Sequence, residues 1–237
     1  MCNRKEGLKT KVGRLYTTNM KQNKAYSKIT SRYDDVLTAR KWWSRLYMNR
    51  IWKVDDNLIA KEVLAMLPDD FQGEILDIPV GTAVFTAEKF RNMRNAKIIG
   101  IDYSQDMLDI ASERILEEKN NNVTLQHGDV CKLAFENERF DAVLSMNGFH
   151  AFPAAKYKSF SETYRVLRKG GIFLGCFYIK GERCIADWVV RNILDKKGFF
   201  TPPHFTKNEA IELLKSLYGE KMEVRNHRSI LIFKCIK

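Results

Sequence analysis

Cysteine is sparse in this sequence and is nowhere arranged for a role that needs a pair. The five cysteines, Cys2, Cys131, Cys176, Cys184 and Cys235, form no Cys-x-x-Cys, and the four histidines, His127, His150, His204 and His227, show no ligand spacing. A disulfide framework and a zinc site are excluded as organising features, so reduced and partly buried thiols are expected. Long apolar runs are lacking too, and no stretch approaches the roughly 20 residues that cross a bilayer as a helix. The opening MCNRKEGLKTKVGRLYTT carries positive charge without the apolar segment of a secretory signal, so the expected location is cytoplasmic. Internal repeats and low-complexity tracts are absent.

Acidic residues are scarce at one end only. Residues 1–50 hold 13 Lys/Arg against 3 Asp/Glu and residues 51–237 hold 27 against 26, so the net charge of +11 resides in the N-terminal segment. A basic arm can attract a polyanion over long range, although most such stretches are simply a solvated surface. Met20 opens MKQNKAYSKITSRYDDV, which reads as a second natural start and makes the first nineteen residues an expected dispensable extension.

At 237 residues and 27.6 kDa the chain suits one large domain with appendages. The expected division is a basic, flexible extension over 1–25 and a single domain over 26–237. Within that domain, 26–70 forms a helical cap, 71–179 the core, 180–220 an insertion on the substrate side and 221–237 a terminal hairpin. Apolar residues at helical spacing between Tyr33 and Leu67 predict two or three helices ended by Pro68. The period then changes. EILDIPV (74–80), KIIGID (97–102), VTLQ (123–126), FDAVLSM (140–146) and GIFLGCFYI (171–179) read as buried strands. Helices are expected over 83–92, over 104–119 with Ser104 as its N-cap, and over 156–167. KNEAIELLKSLYG reads as a further helix, and KMEVRN with SILIFKCIK as an antiparallel hairpin. The fold class is therefore α/β: a doubly wound seven-stranded sheet, mostly parallel, with helices on both faces.

Three acids recur at the ends of predicted strands: Asp77 in LDIPVGTA, Asp102 in IIGIDYS and Asp129 in LQHGDV. In an open α/β sheet that edge is where ligands bind, at the point where strand order reverses. Gly81 permits a sharp turn and close approach of a ligand to the backbone. Asp102 is placed to accept from both hydroxyls of a ribose, and Asp129, with Val130, to meet an adenine whose ring Met107 covers. Together they read as a nucleoside site. The plainer alternative is that such acids cap the following helix, a role open to Asp129. A dinucleotide site needs Gly-x-Gly-x-x-Gly, whereas this loop has a single glycine and no second catalytic domain follows.

The segments ILDIPVGTAVFT, IIGIDYSQDMLDIASER, HGDV, FDAVLSMNGFHAF and ETYRVLRKGGIFL stand in an order that resembles the class I S-adenosylmethionine-dependent methyltransferases. Within them the chain is similar to the ubiquinone/menaquinone-biosynthesis C-methyltransferases, the type 11 group. The resemblance implies S-adenosylmethionine as cofactor, S-adenosylhomocysteine as product, and Asp77, Pro79, Gly81, Asp102, Tyr103, Met107, Asp129, Val130 and Met146 as cofactor contacts. One departure is visible: the family's three loop glycines stand here as Pro79, Gly81 and Ala83, so the loop is stiffer.

Methyl transfer from a sulfonium needs alignment more than a nucleophilic side chain. Where the acceptor must lose a proton, His150, just past the fourth strand, is the expected base, weighed against a packing role between Phe149, Ala151 and Phe152. The loop SMNGFHAF lacks Asn-Pro-Pro-Tyr and Pro-Cys, which disfavours a nucleobase acceptor. A small, fairly apolar molecule, methylated at carbon, oxygen or nitrogen, is the expected substrate. An RNA- or protein-directed enzyme using the basic N-terminus, or a cofactor-binding protein without catalysis, are the alternatives. Tyr33, Phe149, Tyr178 and Trp188 are the expected acceptor contacts, with Trp43, Phe199, Phe200 and His204 as further lining.

Overall fold

The computed structural model describes residues 55–152 and 156–237. The expectations placed on the basic extension, on Met20, and on Tyr33 and Trp43 of the helical cap fall outside these residues. The first described helix, α1 (Asp56–Ala65), starts where Asp55 caps it, accepting from the N–H groups of Asn57 at 3.0 Å and Leu58 at 3.3 Å. Its buried stripe of Ile59, Val63 and Leu64 faces the sheet.

Strands β1 (Gly73–Asp77), β2 (Ala96–Asp102), β3 (Val123–His127), β4 (Phe140–Met146) and β5 (Leu167–Tyr178) pair in parallel. Between them lie α2 (Ala87–Asn92), α3 (Gln105–Glu117) and α4 (Lys156–Val166). After β5 the chain forms α5 (Cys184–Val189), a π-turn over Val190–Leu194, α6 (Asp195–Lys197) and α7 (Lys207–Tyr218). It ends in β6 (Met222–His227) and β7 (Ile230–Ile236), which form an antiparallel hairpin against β5. The seven strands stand in the order β3-β2-β1-β4-β5-β7-β6. This is the doubly wound, mostly parallel sheet that the alternation of elements implies. Strand order reverses between β1 and β4, so the chain leaves their C-terminal ends in opposite directions and a crevice opens there.

Three boundaries differ from the sequence expectation, each for a local reason. β1 stops at Asp77 because Pro79 offers no N–H, although Ile78 and Val80 still donate to Leu144 O and Ile101 O, each at 2.9 Å. The next helix begins at Ala87 rather than 83, because Ala83 stands in the left-handed region at φ +54°. β5 begins at Leu167, where a register shift opposite Phe140 and Ala142 lets pairing start early.

Both faces of the sheet are covered, as parallel strands require. One face carries an aromatic core of Phe140, Phe149, Phe160, Phe173, Phe177 and Phe233. The other packs α1 against Ile75, Ile98, Leu144, Cys176 and Tyr178. α7 is fixed at its start by a capping box between Thr206 and Glu209. Among the described residues no helix is long and apolar enough to cross a membrane.

The central pair β4–β5 depends on Gly175, where an added Cβ would fall far inside contact distance of the Ser145 carbonyl oxygen on the adjacent strand. Gly175→Ala is expected to lower the unfolding free energy by about 1–3 kcal/mol through overpacking against backbone. Urea denaturation measures this, and a loss too small to detect would contradict the packing described.

Candidate functional site

The C-terminal end of β2 organises the crevice. Asp102 is buried, and its two oxygens reach in different directions: Oδ2 accepts from Gly81 N–H at 2.9 Å and Oδ1 from Ser104 N–H at 2.8 Å. One carboxylate thereby joins the turn after β1 to the turn that starts α3. Ser104 caps that helix, its Oγ accepting from Met107 N–H at 3.4 Å. Burial raises the Asp102 pKa, while the N–H groups of Ser104, Gly81 and Tyr103 and the charge of His127 pull it down. With three N–H groups acting on it, the carboxylate retains one lone-pair direction for a further donor.

Asp77, the last residue of β1, is the unusual member. Its side chain is almost wholly inside the protein, and neither oxygen has a hydrogen-bond partner. Burial pushes its pKa up to about 8, the Thr86 hydroxyl works against that rise and the charge of Asp102 adds to it. That hydroxyl is itself buried without a bond of normal geometry. An unpartnered carboxylate in such a place costs stability and marks a site built for something else. Gly81 stands close by in sequence at φ +55°, and a Cβ built on it would meet nothing within 4 Å. The turn therefore presents bare backbone to open space.

The remaining sequence-derived residues fall around the same rim. Gly128 N–H donates to Asp102 O at 3.0 Å, which holds the chain after β3 against the end of β2. Asp129 is exposed and caps the short turn Val130–Lys132, its Oδ1 accepting from Cys131 N–H at 2.8 Å. The capping role foreseen as the plainer alternative is thus present, and it occupies one of the two oxygens. Val130 and Met107 are buried, Pro79 and Met146 are half-buried, and Tyr103 is exposed with its ring 5.6 Å from that of His127. Gly148, past β4, leaves room for the Pro79 ring, which draws the turns after β4 and β1 together.

The acceptor-side expectations divide. Phe149 is not a lining residue: it is fully buried in the aromatic core, stacked on Phe160 at 4.0 Å, because its side chain falls on the core face. Tyr33 lies outside the described residues. Tyr178, at the end of β5, is buried and its hydroxyl donates to Asp187 at 2.6 Å. Trp188, on α5, is 54% exposed at the insertion surface. His150 is buried, stacks on Phe200 at 3.8 Å, and its Nδ1 accepts from Tyr178 N–H at 3.2 Å. With the Nδ1 lone pair engaged, the neutral ring carries its proton on Nε2, which donates and cannot accept. His204 pairs with Asp195 at 2.9 Å. One acid the sequence reading passed over, Asp56, is buried at the first position of α1's inward stripe.

A family profile described as a methyltransferase domain matches residues 75–171. The ubiquinone/menaquinone biosynthesis C-methyltransferase UbiE of Allorhizobium ampelinum is 30% identical over 193 residues, covering 78% of this chain and 67% of that protein. With the sheet order and the rim geometry, these place the chain in the class I S-adenosylmethionine-dependent methyltransferase family, to which it belongs. Within that family it resembles the quinone methyltransferases, as the motifs suggested. The demethylmenaquinone methyltransferase of Alkalihalophilus pseudofirmus is 28% identical, covering 65% of this chain and 61% of that one. Among solved structures, a Haemonchus contortus phosphoethanolamine N-methyltransferase in complex with S-adenosylhomocysteine aligns with a TM-score of 0.60 and 26% identity, covering 70% of this chain and 38% of that chain. The chain spans from 34% to 68% of the length of eight curated relatives.

Asp77 leaves a signature in stability. Its folded pKa, near 8, stands above the unfolded carboxylate value, so its contribution is fully favourable below pH about 4 and is lost as pH rises through about 8. Asp77→Asn, which cannot ionise, is expected to gain stability relative to the native protein progressively between those limits. Urea unfolding at pH 5, 7 and 9 measures the difference, and a constant offset would show that Asp77 is not held protonated.

Proposed function

We propose that this chain transfers a methyl group from S-adenosylmethionine to a small, fairly apolar, quinone-type acceptor, with carbon as the atom methylated. The observation that carries the cofactor half of the reading is the unpartnered, buried Asp77 carboxylate beside the open backbone of Gly81. A cationic amino acid moiety favours the ionised carboxylate that burial disfavours at Asp77, and Gly81 permits its close approach. Asp102 offers its remaining lone-pair direction to a ribose hydroxyl, and Asp129, at the same rim, faces an adenine amine. Met107 and Val130 supply apolar cover for the base, and Pro79, Tyr103 and Met146 flank the rim. The acceptor half rests on the names of the quinone methyltransferase relatives and on the aromatic ends of β5 and α5, where Tyr178 and Trp188 stand.

S-adenosylmethionine supplies, when bound, a methyl on a sulfonium whose departure needs no acid catalyst. The chain's own work is then to hold the nucleoside by its acids, to exclude water with the apolar face around α1, and to align the acceptor. His150, expected from the sequence as a base, has its Nδ1 engaged by the Tyr178 N–H, which supports a role in holding the end of β5.

Calorimetry with S-adenosylhomocysteine tests the site directly. Asp102→Ala removes charged acceptors worth about 1.5–3 kcal/mol each and is expected to weaken binding at least tenfold, about 1.4 kcal/mol. An unchanged dissociation constant would remove Asp102 from the site. Product release measured with a prenylated 1,4-naphthohydroquinone then tests the acceptor class.

A further inference from the structure

α1 precedes β1 in the chain, and its inward residues share one core cluster with Met146, the last residue of β4, and with Cys176 and Tyr178 at the C-terminal end of β5. Its inward face repeats at helical spacing through Asp56, Ile59, Ala60, Val63 and Leu64, so a carboxylate occupies the first position of an otherwise apolar stripe. Asp56 is only 9% exposed, and it has no hydrogen bond or ion pair among the described residues. Asp55, beside it, spends its own carboxylate on the helix cap.

The sheet register fixes what lies below. Asp77 follows Ile75 on the face that α1 covers, Leu144 is its partner on β4, and Met146 of the same face pairs with Cys176 on β5. Cys176 is fully buried, its Sγ lies 3.6 Å from Asn147 Oδ1, and it is within electrostatic reach of Asp56. Two unpartnered acids therefore stand on one face: Asp77 on β1, beside the nucleoside crevice, and Asp56 over β5. Two strand spacings, roughly 10 Å, separate those strands. A methyl donor beside the first acid would then have room for an acceptor over the ends of β4 and β5, beside the second.

Resting on the methyltransferase reading above, we propose that Asp56 is the catalytic base, taking the proton from an ionisable O–H of the acceptor. The acceptor's O–H proton passes to the Asp56 carboxylate and its electron pair stays on the acceptor. The resulting anion, through oxygen or the ring carbon beside it, forms the new bond to the methyl as the C–S pair stays on sulfur. Where carbon is attacked, the ring proton leaves to solvent and the hydroxyl is restored, so one proton is released overall. Burial, with the charge of Asp55 adding to it, pushes the Asp56 pKa up to about 7, which suits a base at neutral pH. Asp55 on its own helix and Cys176 on β5 are the titratable groups acting with it. The Cys176 thiol, pushed up to about 12 by burial, stays protonated.

The test uses the full chain, the native protein beside Asp56→Asn and Asp56→Glu, with a prenylated 1,4-naphthohydroquinone as acceptor. Calorimetry with S-adenosylhomocysteine should give the same dissociation constant, within twofold, for all three proteins. Absence of binding in the native protein sinks the methyltransferase reading itself, and selective loss in Asp56→Asn overturns the proposal by placing the acid in the nucleoside site. Native kcat should rise with pH through about 7. In Asp56→Asn it should fall about 100-fold or more, with KM for S-adenosylmethionine unchanged, and that inflection should vanish. Asp56→Glu should restore part of the rate together with the inflection. Asp56→Asn turnover within threefold of native, an unmoved inflection, or no methylation of the hydroquinone by a native protein that binds S-adenosylhomocysteine overturns the assignment.

Discussion

The crevice depends on one carboxylate being shared by two turns. Asp102 sits at the end of β2, and by accepting from Gly81 and from Ser104 it fixes the turn after β1 to the start of α3. Buried charge is tolerated there because backbone N–H groups answer it. Without that clasp, a turn interrupted by Pro79 and carrying positive φ at Gly81 and Ala83 has few bonds to hold its shape. The position of Asp77, the open backbone at Gly81 and the seating of Met107 all follow from it.

A second constraint comes from the sheet. Because strand order reverses between β1 and β4, the polar ends of both strands face a gap that no crossover covers. The protein fills its interior elsewhere with aromatic rings and aliphatic side chains, yet among the described residues the buried Asp77 oxygens have no hydrogen-bond partner and Asp56, 9% exposed, makes no hydrogen bond or ion pair. Two such departures from polar pairing are costly in a marginally stable chain. Asp77 ends β1, and Asp56 stands within electrostatic reach of Cys176 on β5.

The insertion after β5 is built differently from the core. A π-turn interrupts its helix at Val190–Leu194, and polar ties hold the surrounding residues: Tyr178 to Asp187, His204 to Asp195, and His150 to the backbone of β5. These bonds fix the aromatic side chains of that region, so paired polar groups shape it, while the end of β1 keeps the Asp77 oxygens unpaired among the described residues. His150 belongs to this framework through its Nδ1, which accepts from the Tyr178 N–H.

The sequence by itself determined the strand and helix order, the class of sheet and the alignment of Asp77, Gly81, Asp102 and Asp129 at strand ends. Those features rest on local periodicity and on residue types that act through their own backbone, as Ser104 does at its helix start. Only the tertiary structure decided which face each side chain met. Phe149 reads from sequence as a rim residue and proves to be core, since the chain past β4 turns it onto Phe160. His150 loses its free lone pair to an N–H from β5, a residue distant in sequence. Asp56 was passed over in the sequence, although its spacing from Ile59, Ala60 and Val63 puts it on the inward stripe. That it lies over Cys176 without a partner was not legible there, because burial and the absence of a countercharge arise from contacts between elements far apart along the chain.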